Sequence, residues 1–207
     1  MTEPLHPRFA LVGNRSALDF ANTVHARRRN VDALQSAGDI FDLLEQLALV
    51  SMDDLRRFRL RSEQSPVETQ ALLDLALGFR HDLRDWLGSA PNPPDAQSPL
   101  TGTINTILAA GAGRETLKFV DGVWQLVTTP IEDALTLALV PLARSAAELI
   151  AEGSSAPIRK CGNPRCPLYF YDTSRNGKRR WCSMESCGNQ AKVRAHLDRK
   201  GHTHAAE

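Results

Sequence analysis

The sequence predicts an α+β protein, with a mostly helical N-terminal domain that contains one β-hairpin and a small C-terminal module. Three observations lead to this fold class. Apolar residues recur at helical spacing through much of the first 157 residues. Two β-prone runs flank an Asp-Gly pair in LKFVDGVWQLV (117–127), which is typical of a hairpin. All four cysteines lie between residues 161 and 187, beside many basic residues.

The composition indicates one good-sized domain with a small appendage. Of the 207 residues, 42% are hydrophobic and 24% are charged, as in ordinary globular proteins. No run approaches the roughly 18 apolar residues of a membrane span, so no membrane partner is expected. The start, MTEPLHPRF, lacks the basic and apolar segments of a signal peptide. We therefore expect a cytoplasmic protein whose thiols stay reduced.

Periodicity and start patterns locate the helices of the N-terminal domain. DIFDLLEQLALV (39–50) spaces its apolar residues as a helix does. SPVE (65–68) combines an N-cap, a proline at the first helical position and a glutamate three residues after the cap, so a helix should run to about Leu87. TPIE (129–132) repeats this pattern and predicts a helix that ends near Glu152.

Proline-rich and Gly/Ser-rich stretches mark a loop and a boundary. PNPPDAQSP (91–99) predicts a loop before helical sequence resumes. EGSSAP (152–157) lies where the charge changes sign, because residues 158–207 hold 11 Lys/Arg against 4 Asp/Glu, a formal charge of +7, and residues 1–157 carry −6. We therefore predict two domains, 1–157 and 158–207, and an anionic partner for the second. A solvated basic surface is the alternative.

The cysteines form two C-x4-C pairs, Cys161 with Cys166 and Cys182 with Cys187. Four thiolates in paired spacing are typical of a closed structural Zn²⁺ site. Two disulfides or an iron–sulfur cluster are the alternatives; the expected reducing setting disfavours the first, and nothing else indicates electron transfer for the second. We predict one structural Zn²⁺ per chain, with no open coordination position for catalysis. A module this small needs the metal in order to fold.

The sequence around the cysteine pairs predicts a zinc-binding ββα-like module of treble-clef type. LYFYD (168–172) is β-prone, and SRNGKRRW (174–181) contains an Asn-Gly turn and a returning strand. NQAKVRAHLDRK (189–200) should be a helix whose Val193 and Leu197 pack on the zinc core. The aromatic residues of this region are more readily explained as module core than as platforms for stacking bases.

Basic residues of the module are the candidate nucleic-acid contacts. Along the turn, the returning strand and the helix these are Arg175, Lys178, Arg179, Arg180, Lys192, Arg194, Arg199 and Lys200. On the helix, a stripe on one side should be formed by Lys192, His196, Arg199 and Lys200, with Arg194 on another side. A cationic stripe beside a packed seam suits DNA phosphates, although any one of these side chains could be plain solvated charge.

CGNPRCPLYFYDTSRNGKRRWCSMESCGNQAKVRAHLDRK (161–200) closely resembles the CGNR zinc-finger module of a group of bacterial proteins. The wide cysteine pairs, the F-Y-D-x-S element, RRWCSM, and CGN before a basic helix carry this resemblance. LVGNRSALDFANTVHARR (11–28) resembles the start of the accompanying ABATE domain, mainly through LDFANT. The two resemblances imply a zinc-containing DNA-binding module attached to a mixed α/β, mostly helical, ligand-sensing domain of stress-induced transcription regulators.

One position departs from the family pattern. Gln190 stands where the Cys-Gly-Asn-Arg motif that names the family has arginine. If that arginine contacts a phosphate or a base edge, Gln190 keeps the hydrogen bonding and loses the charge. The resemblance thus adds Gln190 to the nucleic-acid contacts as a contact in doubt, and the zinc assignment is unaffected.

The N-terminal motif offers a second candidate site. Asp19, Asn22 and Thr23, together with Arg27, could line a ligand pocket on the first helix, since they are three and four residues apart. Alternatively, Asp19 and Asn22 satisfy backbone groups and fix the packing of their neighbours, which is the explanation we favour.

These features predict a transcription regulator that binds DNA through its zinc module. Its N-terminal domain would sense a small-molecule effector or form a homodimer. The rival hypothesis is a protein-interaction adaptor whose zinc module binds an acidic protein surface. A third is a small-molecule-binding protein without DNA binding. The sequence offers no nucleophile–base pairing and no phosphate-cradling glycine loop, so we do not expect an enzyme.

Overall fold

The N-terminal part of the chain is built mainly from helices. In the computed structural model, which describes residues 9–24, 32–89, 94–120, 123–130, 134–194 and 197, this part forms six α-helices and a hairpin. The helices are α1 (Ser16–Ala21), α2 (Ala37–Gln46), α3 (Met52–Gln64), α4 (Pro66–Ser89), α5 (Pro99–Ala110) and α6 (Val140–Ala151). Strands β1 (Gly113–Val120) and β2 (Val123–Pro130) form an antiparallel pair between α5 and α6.

The C-terminal module contributes two short strands and a last helix. Strand β3 (Ile158–Lys160) pairs antiparallel with β4 (Tyr169–Tyr171). Helix α7 covers residues 189–194 and follows one π-helical turn at Met184–Gly188. A mostly helical region, a two-stranded hairpin and a module with four clustered cysteines are what the sequence predicts, so the predicted fold class is confirmed.

The helix starts at Pro66 and Pro99 follow the expected local chemistry. Pro66 begins α4, where the missing N–H of proline costs no hydrogen bond, and the helix ends two residues beyond the predicted Leu87. At the start of α5 the Ser98 hydroxyl accepts a hydrogen bond from the Thr101 N–H at 3.2 Å. The predicted proline-rich loop (91–99) extends into this helix start, because Ser98 is the cap and Pro99 is the first residue of α5. Residues 91–93 of the loop lie outside the described part of the chain.

The predicted helix start at residues 129–132 is wrong. Thr129 and Pro130 are the last residues of β2 and pair with β1. The end of an edge strand tolerates a residue without an N–H to donate, so Pro130 terminates a strand here. Helical structure resumes among the described residues with a 3-10 segment, Leu135–Leu139, which leads directly into α6.

The core of the N-terminal part surrounds α4. This helix of 24 residues packs against α1, α2, α3 and α5, and its Ala76, Phe79 and Leu83 are fully buried. The Phe79 ring lies against Phe20 of α1, with 5.2 Å between the ring centroids. Burial of such large side chains contributes roughly 1.5–3 kcal/mol each and holds the helices together. None of the described helices is long and apolar enough to cross a membrane.

Strand β4 of the module is held by the residue that follows α1. The Asn22 side-chain amide donates to the Tyr169 carbonyl at 2.8 Å, and its oxygen accepts from the Tyr169 N–H at 2.9 Å. One buried side chain therefore satisfies both backbone groups of Tyr169, as a neighbouring strand would do. Beside it, the Gly13 carbonyl accepts from the Tyr171 N–H at 2.8 Å.

The N-terminal part and the zinc module also contribute side chains to each other's apolar clusters. Tyr169 belongs to the same buried cluster as the core around α4. In the other direction, Ala10 is buried with the cysteines, and Val12 packs against that cluster. These contacts cross residue 157, where the sequence places a domain boundary, and the division into two domains stays a prediction.

We predict that Asn22→Ala destabilises the protein by about 2–6 kcal/mol. The substitution leaves the buried N–H and carbonyl of Tyr169 without partners, at about 1–3 kcal/mol for each group. Urea unfolding of the zinc-loaded chain, followed by far-UV circular dichroism, measures the change. Asn105→Ala on the exposed face of α5 is the matched control and should change stability by less than about 0.5 kcal/mol. Equal effects of the two substitutions would contradict the role of Asn22.

Candidate functional site

The four cysteine sulfurs converge on one point. The Sγ atoms of Cys161, Cys166, Cys182 and Cys187 all lie within 4.8 Å of one another. Cys166 Sγ is 3.7 Å from Cys182 Sγ, which in turn is 3.6 Å from Cys187 Sγ. A disulfide needs about 2.05 Å between its sulfurs, whereas tetrahedral Zn²⁺ with Zn–S bonds of about 2.3 Å separates its sulfurs by about 3.8 Å. The cluster therefore fits a four-thiolate zinc site, and the predicted cofactor is confirmed.

The hydrogen bond between Cys166 and Cys182 shifts the pKa values of these two thiols in opposite directions. The hydrogen bond from Cys182 lowers the pKa of the Cys166 thiol to about 5. The pKa of Cys182 is raised, first because its proton is held in that same hydrogen bond and second because the thiol is buried. A bound Zn²⁺ requires thiolates and compensates the negative charge that burial disfavours.

The first cysteine pair sits on a tight turn after β3. The Cys161 N–H donates to the Leu168 carbonyl at 2.9 Å, and the Cys166 N–H donates to the Asn163 carbonyl at 2.8 Å. Gly162 allows the second pair to approach, since its N–H donates to the Arg180 carbonyl at 2.8 Å. A Cβ at position 162 would lie only 3.0 Å from that carbonyl oxygen.

Asn163, in the turn of the first cysteine pair, also contacts the segment of the second pair. Its side-chain amide nitrogen lies 3.6 Å from Cys187 Sγ and donates to the Gln190 side-chain oxygen at 3.1 Å. Its own oxygen accepts from the Arg165 N–H at 3.1 Å. Gln190, at the position where the family motif has arginine, thus serves as an acceptor beside the zinc site, which an arginine cannot do.

The buried Asp172 organises the turn between the cysteine pairs. Its Oδ1 accepts from the backbone N–H and the hydroxyl of Ser174 at 3.0 and 2.6 Å, and its Oδ2 accepts from the Arg179 N–H at 3.1 Å. Oδ2 also pairs with Arg159 Nε at 3.1 Å. The hydrogen bonds from Ser174 are the first cause of the lowered pKa of Asp172. The D-x-S element of the sequence therefore has a structural role, because its hydrogen bonds hold the turn between the cysteine pairs.

The strand pairing of the module differs from the predicted hairpin. LYFYD does form a strand, but β4 pairs with β3 upstream of the cysteines. The returning stretch at 179–181 forms no strand with it. Its backbone is instead tied to Asp172 and to Gly162, so the hydrogen bonds that a hairpin would use are taken by the zinc turns.

Arg179, a predicted nucleic-acid contact, is part of the framework of the module. Its Nε donates to the Trp181 carbonyl at 3.0 Å, and its Nη2 donates to the carbonyls of Cys182 at 2.5 Å and Val12 at 3.3 Å. The guanidinium lies 4.3 Å from the ring centroid of the buried Phe170. These contacts occupy the group that would have to bind a phosphate, so Arg179 is better explained as a structural residue.

The other described candidates for nucleic-acid contact are exposed. Four of these side chains form no hydrogen bond or ion pair with another described residue: Arg175, Lys178, Lys192 and Arg194. Arg180 is exposed and lies over the Trp181 ring at 5.2 Å. Two further exposed cations, Lys160 and Arg165, were not selected from the sequence. Arg199 and Lys200 lie outside the described residues.

Helix α7 does not pack as the sequence suggests. Val193 and Leu197, predicted to cover the zinc core, are 59% and 61% exposed. The helix is held at its start, where Cys187 and Gly188 are buried, and from residue 189 onward every described residue is exposed except the half-buried Ala191. The predicted apolar seam is therefore wrong, because both side chains face solvent instead of covering the zinc core.

The N-terminal motif is engaged with the protein itself. Asp19 Oδ1 accepts from the Gly13 N–H at 2.7 Å, and burial raises the pKa of Asp19 to about 6, although hydrogen bonds from Gly13 and Val12 act in the opposite direction. With the contacts of Asn22 to Tyr169, this arrangement favours the structural alternative over a pocket at these residues.

Thr23 is likewise held by protein groups. Its hydroxyl donates to the Phe20 carbonyl at 2.7 Å and accepts from Arg80 at 2.9 Å. Arg80 is buried and also pairs with Asp32, so an arginine on α4 fixes both ends of the segment after α1. This arginine was not selected from the sequence. A charged residue on the apolar side of α4 is explained only by the partners that it has in the folded structure. Arg27 lies outside the described residues.

We predict about one Zn²⁺ per purified chain, as four-thiolate coordination requires. Elemental analysis measures this ratio, and the bound metal should protect all four thiols from alkylation until a strong chelator is added. Cys182→Ser should lose most of the zinc, while Ser186→Ala, an exposed change between two ligands, should retain it. A metal-free native protein with four reactive thiols would refute the site.

We further predict that Arg179→Ala weakens the module and Lys178→Ala does not. Losing the hydrogen bonds to three carbonyls should cost on the order of 2 kcal/mol, whereas an exposed lysine contributes little. The rate of zinc transfer to a chromogenic chelator is the measurement, and only Arg179→Ala should accelerate it. If Arg179→Ala released zinc as slowly as the parent, its structural role would be excluded.

Two family models match the chain along its length. The model described as "CGNR zinc finger" matches residues 158–200 and contains all four cysteines. The ABATE model, described as "Putative stress-induced transcription regulator", matches residues 14–153, more than half of the chain. No curated protein matches the sequence. The chain therefore belongs to the ABATE family of putative stress-induced transcription regulators and carries a CGNR zinc finger after its ABATE domain.

Proposed function

We propose that the protein is a transcription regulator that binds DNA through its zinc module. The observation that carries this proposal is a set of exposed cations without acidic partners. We call this set the basic surface, and its described members are Lys160, Arg165, Arg175, Lys178, Arg180, Lys192 and Arg194. The family description is consistent with such a role.

The positive charge of the module is only partly neutralised by its own acidic residues. Residues 158–194 hold nine Lys/Arg and two Asp/Glu. One of the two acids, Asp172, is buried and occupied by Arg159 and the 174–179 turn. The zinc site holds the turns that carry Arg175, Lys178 and Arg180, so the metal limits the conformational freedom that these side chains would lose on binding. Exposed cations on turns that are held in place suit the regularly spaced phosphates of DNA.

A protein-interaction adaptor is the second candidate, and one observation favours it. Met184, Val193 and Leu197 are all more than half exposed on the last part of the module. Apolar side chains in such positions are used at protein interfaces more readily than at phosphate backbones. The two candidates differ in salt dependence, because counterion release dominates only when the partner is a polyphosphate.

The test is a salt titration of affinity for random duplex DNA. The logarithm of the affinity should fall linearly with the logarithm of the salt concentration, and each lost phosphate contact should reduce the slope by about one unit. Lys178→Ala and Lys192→Ala should each do this and leave the zinc content unchanged. Arg56→Ala, an exposed change on α3 outside the module, is the matched control and should leave the slope as it is.

Gln190→Arg adds the charge of the family motif and should steepen the slope if position 190 faces a phosphate. It also removes the acceptor for Asn163, so zinc content is measured in parallel. Absence of DNA binding at low salt would overturn the proposal, and salt-insensitive binding to a protein partner would favour the adaptor.

A further inference from the structure

A cleft of about 1000 Å³ lies beside the start of α1, on the side of the N-terminal part that faces α6. Its walls come from residues 14–16, from Leu49 after α2, and from one side of α6 between Val140 and Glu152. This volume is sufficient for a small-molecule ligand. Of the residues predicted from the sequence as a ligand pocket, the described ones, Asp19, Asn22 and Thr23, do not line it, so it is a site distinct from the LDFANT residues.

The cleft combines an apolar wall with two free charges of opposite sign. Leu49, Val140 and Pro141 line it and are each partly exposed. Arg144 and Glu148, one turn apart on α6, also line it and are exposed. Neither side chain forms a hydrogen bond or an ion pair with another described residue, and the two groups do not form an ion pair with each other. An unpaired cation and an unpaired anion therefore face the same space.

The remaining charges of the cleft are already matched. Arg15 Nη2 lies 3.3 Å from Glu152 Oε1 at the end of the cleft nearest the module. The four charged side chains, Arg15, Arg144, Glu148 and Glu152, therefore sum to zero. A ligand with a single charge would satisfy one of the two free groups and repel the other, whereas a ligand with both charges satisfies both.

We propose that this cleft binds a small zwitterion, an α-amino acid with an apolar side chain. Arg144 binds the carboxylate of the ligand, Glu148 binds its ammonium group, and the apolar side chain lies on Leu49, Val140 and Pro141. Ligand binding here does not depend on the proposed DNA binding.

The position of Arg15 links the cleft to the zinc module. Its guanidinium lies 4.1 Å from the ring centroid of Tyr171 on β4. The Tyr171 hydroxyl donates to Glu152 Oε2 at 2.7 Å, so Tyr171 touches both members of the ion pair. Asn14 has a positive φ of 59° and donates to the Tyr171 carbonyl at 3.0 Å. Side chains that line the cleft thus hold the strand that precedes the second cysteine pair.

The carboxylate of a ligand bound to Arg144 also attracts Arg15, and drawing Arg15 away from Glu152 costs little. The Arg15 and Glu152 side chains are 36% and 32% exposed, and ion pairs that exposed contribute about 0–1 kcal/mol. Drawing Arg15 toward the ligand removes its contact with the Tyr171 ring. Occupation of the cleft should therefore loosen β4 and the zinc turns behind it.

Binding is tested by calorimetry on the full-length zinc-loaded protein with three probes that share one apolar body. L-leucine carries both charges, 4-methylpentanoate carries only the carboxylate, and leucine amide carries only the ammonium group. L-leucine should bind at least about tenfold more tightly than either single-charge probe, as expected for a charge-assisted hydrogen bond. Equal binding of 4-methylpentanoate would overturn the zwitterion assignment, and no binding of any probe at millimolar concentration would overturn the site.

Two variants assign the charges. Arg144→Ala should weaken L-leucine and 4-methylpentanoate by about tenfold and should not weaken leucine amide, which loses a repelling cation. Glu148→Gln should weaken L-leucine and leucine amide by about tenfold and should not weaken 4-methylpentanoate. Both positions are exposed, so both variants should keep the unfolding midpoint of the parent without ligand. Arg56→Ala is the control for a change in net charge. An unchanged affinity for L-leucine in Arg144→Ala would overturn the proposal.

The link to the module is tested through zinc release, which requires no DNA. L-leucine should accelerate zinc transfer to a chelator by about fivefold in the parent, at the low end of typical coupling between sites. Tyr171→Phe keeps the ring against Arg15 and removes the bond to Glu152, and it should reduce this acceleration. If L-leucine binds and the rate in the parent does not change, the link is refuted while the binding site stands.

Discussion

Four sulfurs at a common point hold together a stretch of chain that has little else to fold around. Within the cysteine cluster, Phe170 is the one large aromatic side chain that is fully buried among the described residues. So few apolar contacts cannot offset the conformational entropy of the turns between residues 161 and 187. Zn²⁺ supplies the missing free energy and neutralises thiolates that would otherwise repel one another. The geometry of every exposed cation on these turns therefore depends on the metal.

The zinc module is also fixed from outside, by residues that precede their partners in the module by 147 and 83 positions in sequence. Asn22 binds both backbone groups of Tyr169, and Arg84 of α4 donates to the Ala21 and Pro167 carbonyls at 2.9 and 3.2 Å. The two-stranded β3–β4 sheet has no third strand beside β4. These bonds satisfy backbone groups that such a strand would otherwise pair with. A zinc finger with both strands so short would leave backbone groups buried and unsatisfied without them. The metal site and the helical part of the chain thus both hold the segment that contains β4.

The arginines of the protein divide into two groups that composition does not distinguish. Arg80, Arg84 and Arg179 direct their donors at buried backbone or side-chain acceptors. Arg175 and Arg194 reach solvent. The planar guanidinium with its five donors suits either use, since it can satisfy several carbonyls in an interior or bind one phosphate at a surface. A positive net charge for a segment therefore overstates how many of its cations are available to a partner.

The sequence alone determined what depends on local chemistry and spacing. Paired cysteines, an Asp-Gly hairpin, serine and proline helix starts and apolar periodicity each act over a few residues, so the fold class, the zinc ligands and most helices could be predicted. The start at residues 129–132 failed because strand pairing with β1 outweighed a capping pattern. Only the tertiary structure decided which strand pairs with LYFYD, that Arg179 binds backbone carbonyls and that Val193 and Leu197 face solvent. Each of these depends on which distant groups meet, and a single sequence records the residues without recording the distances between them.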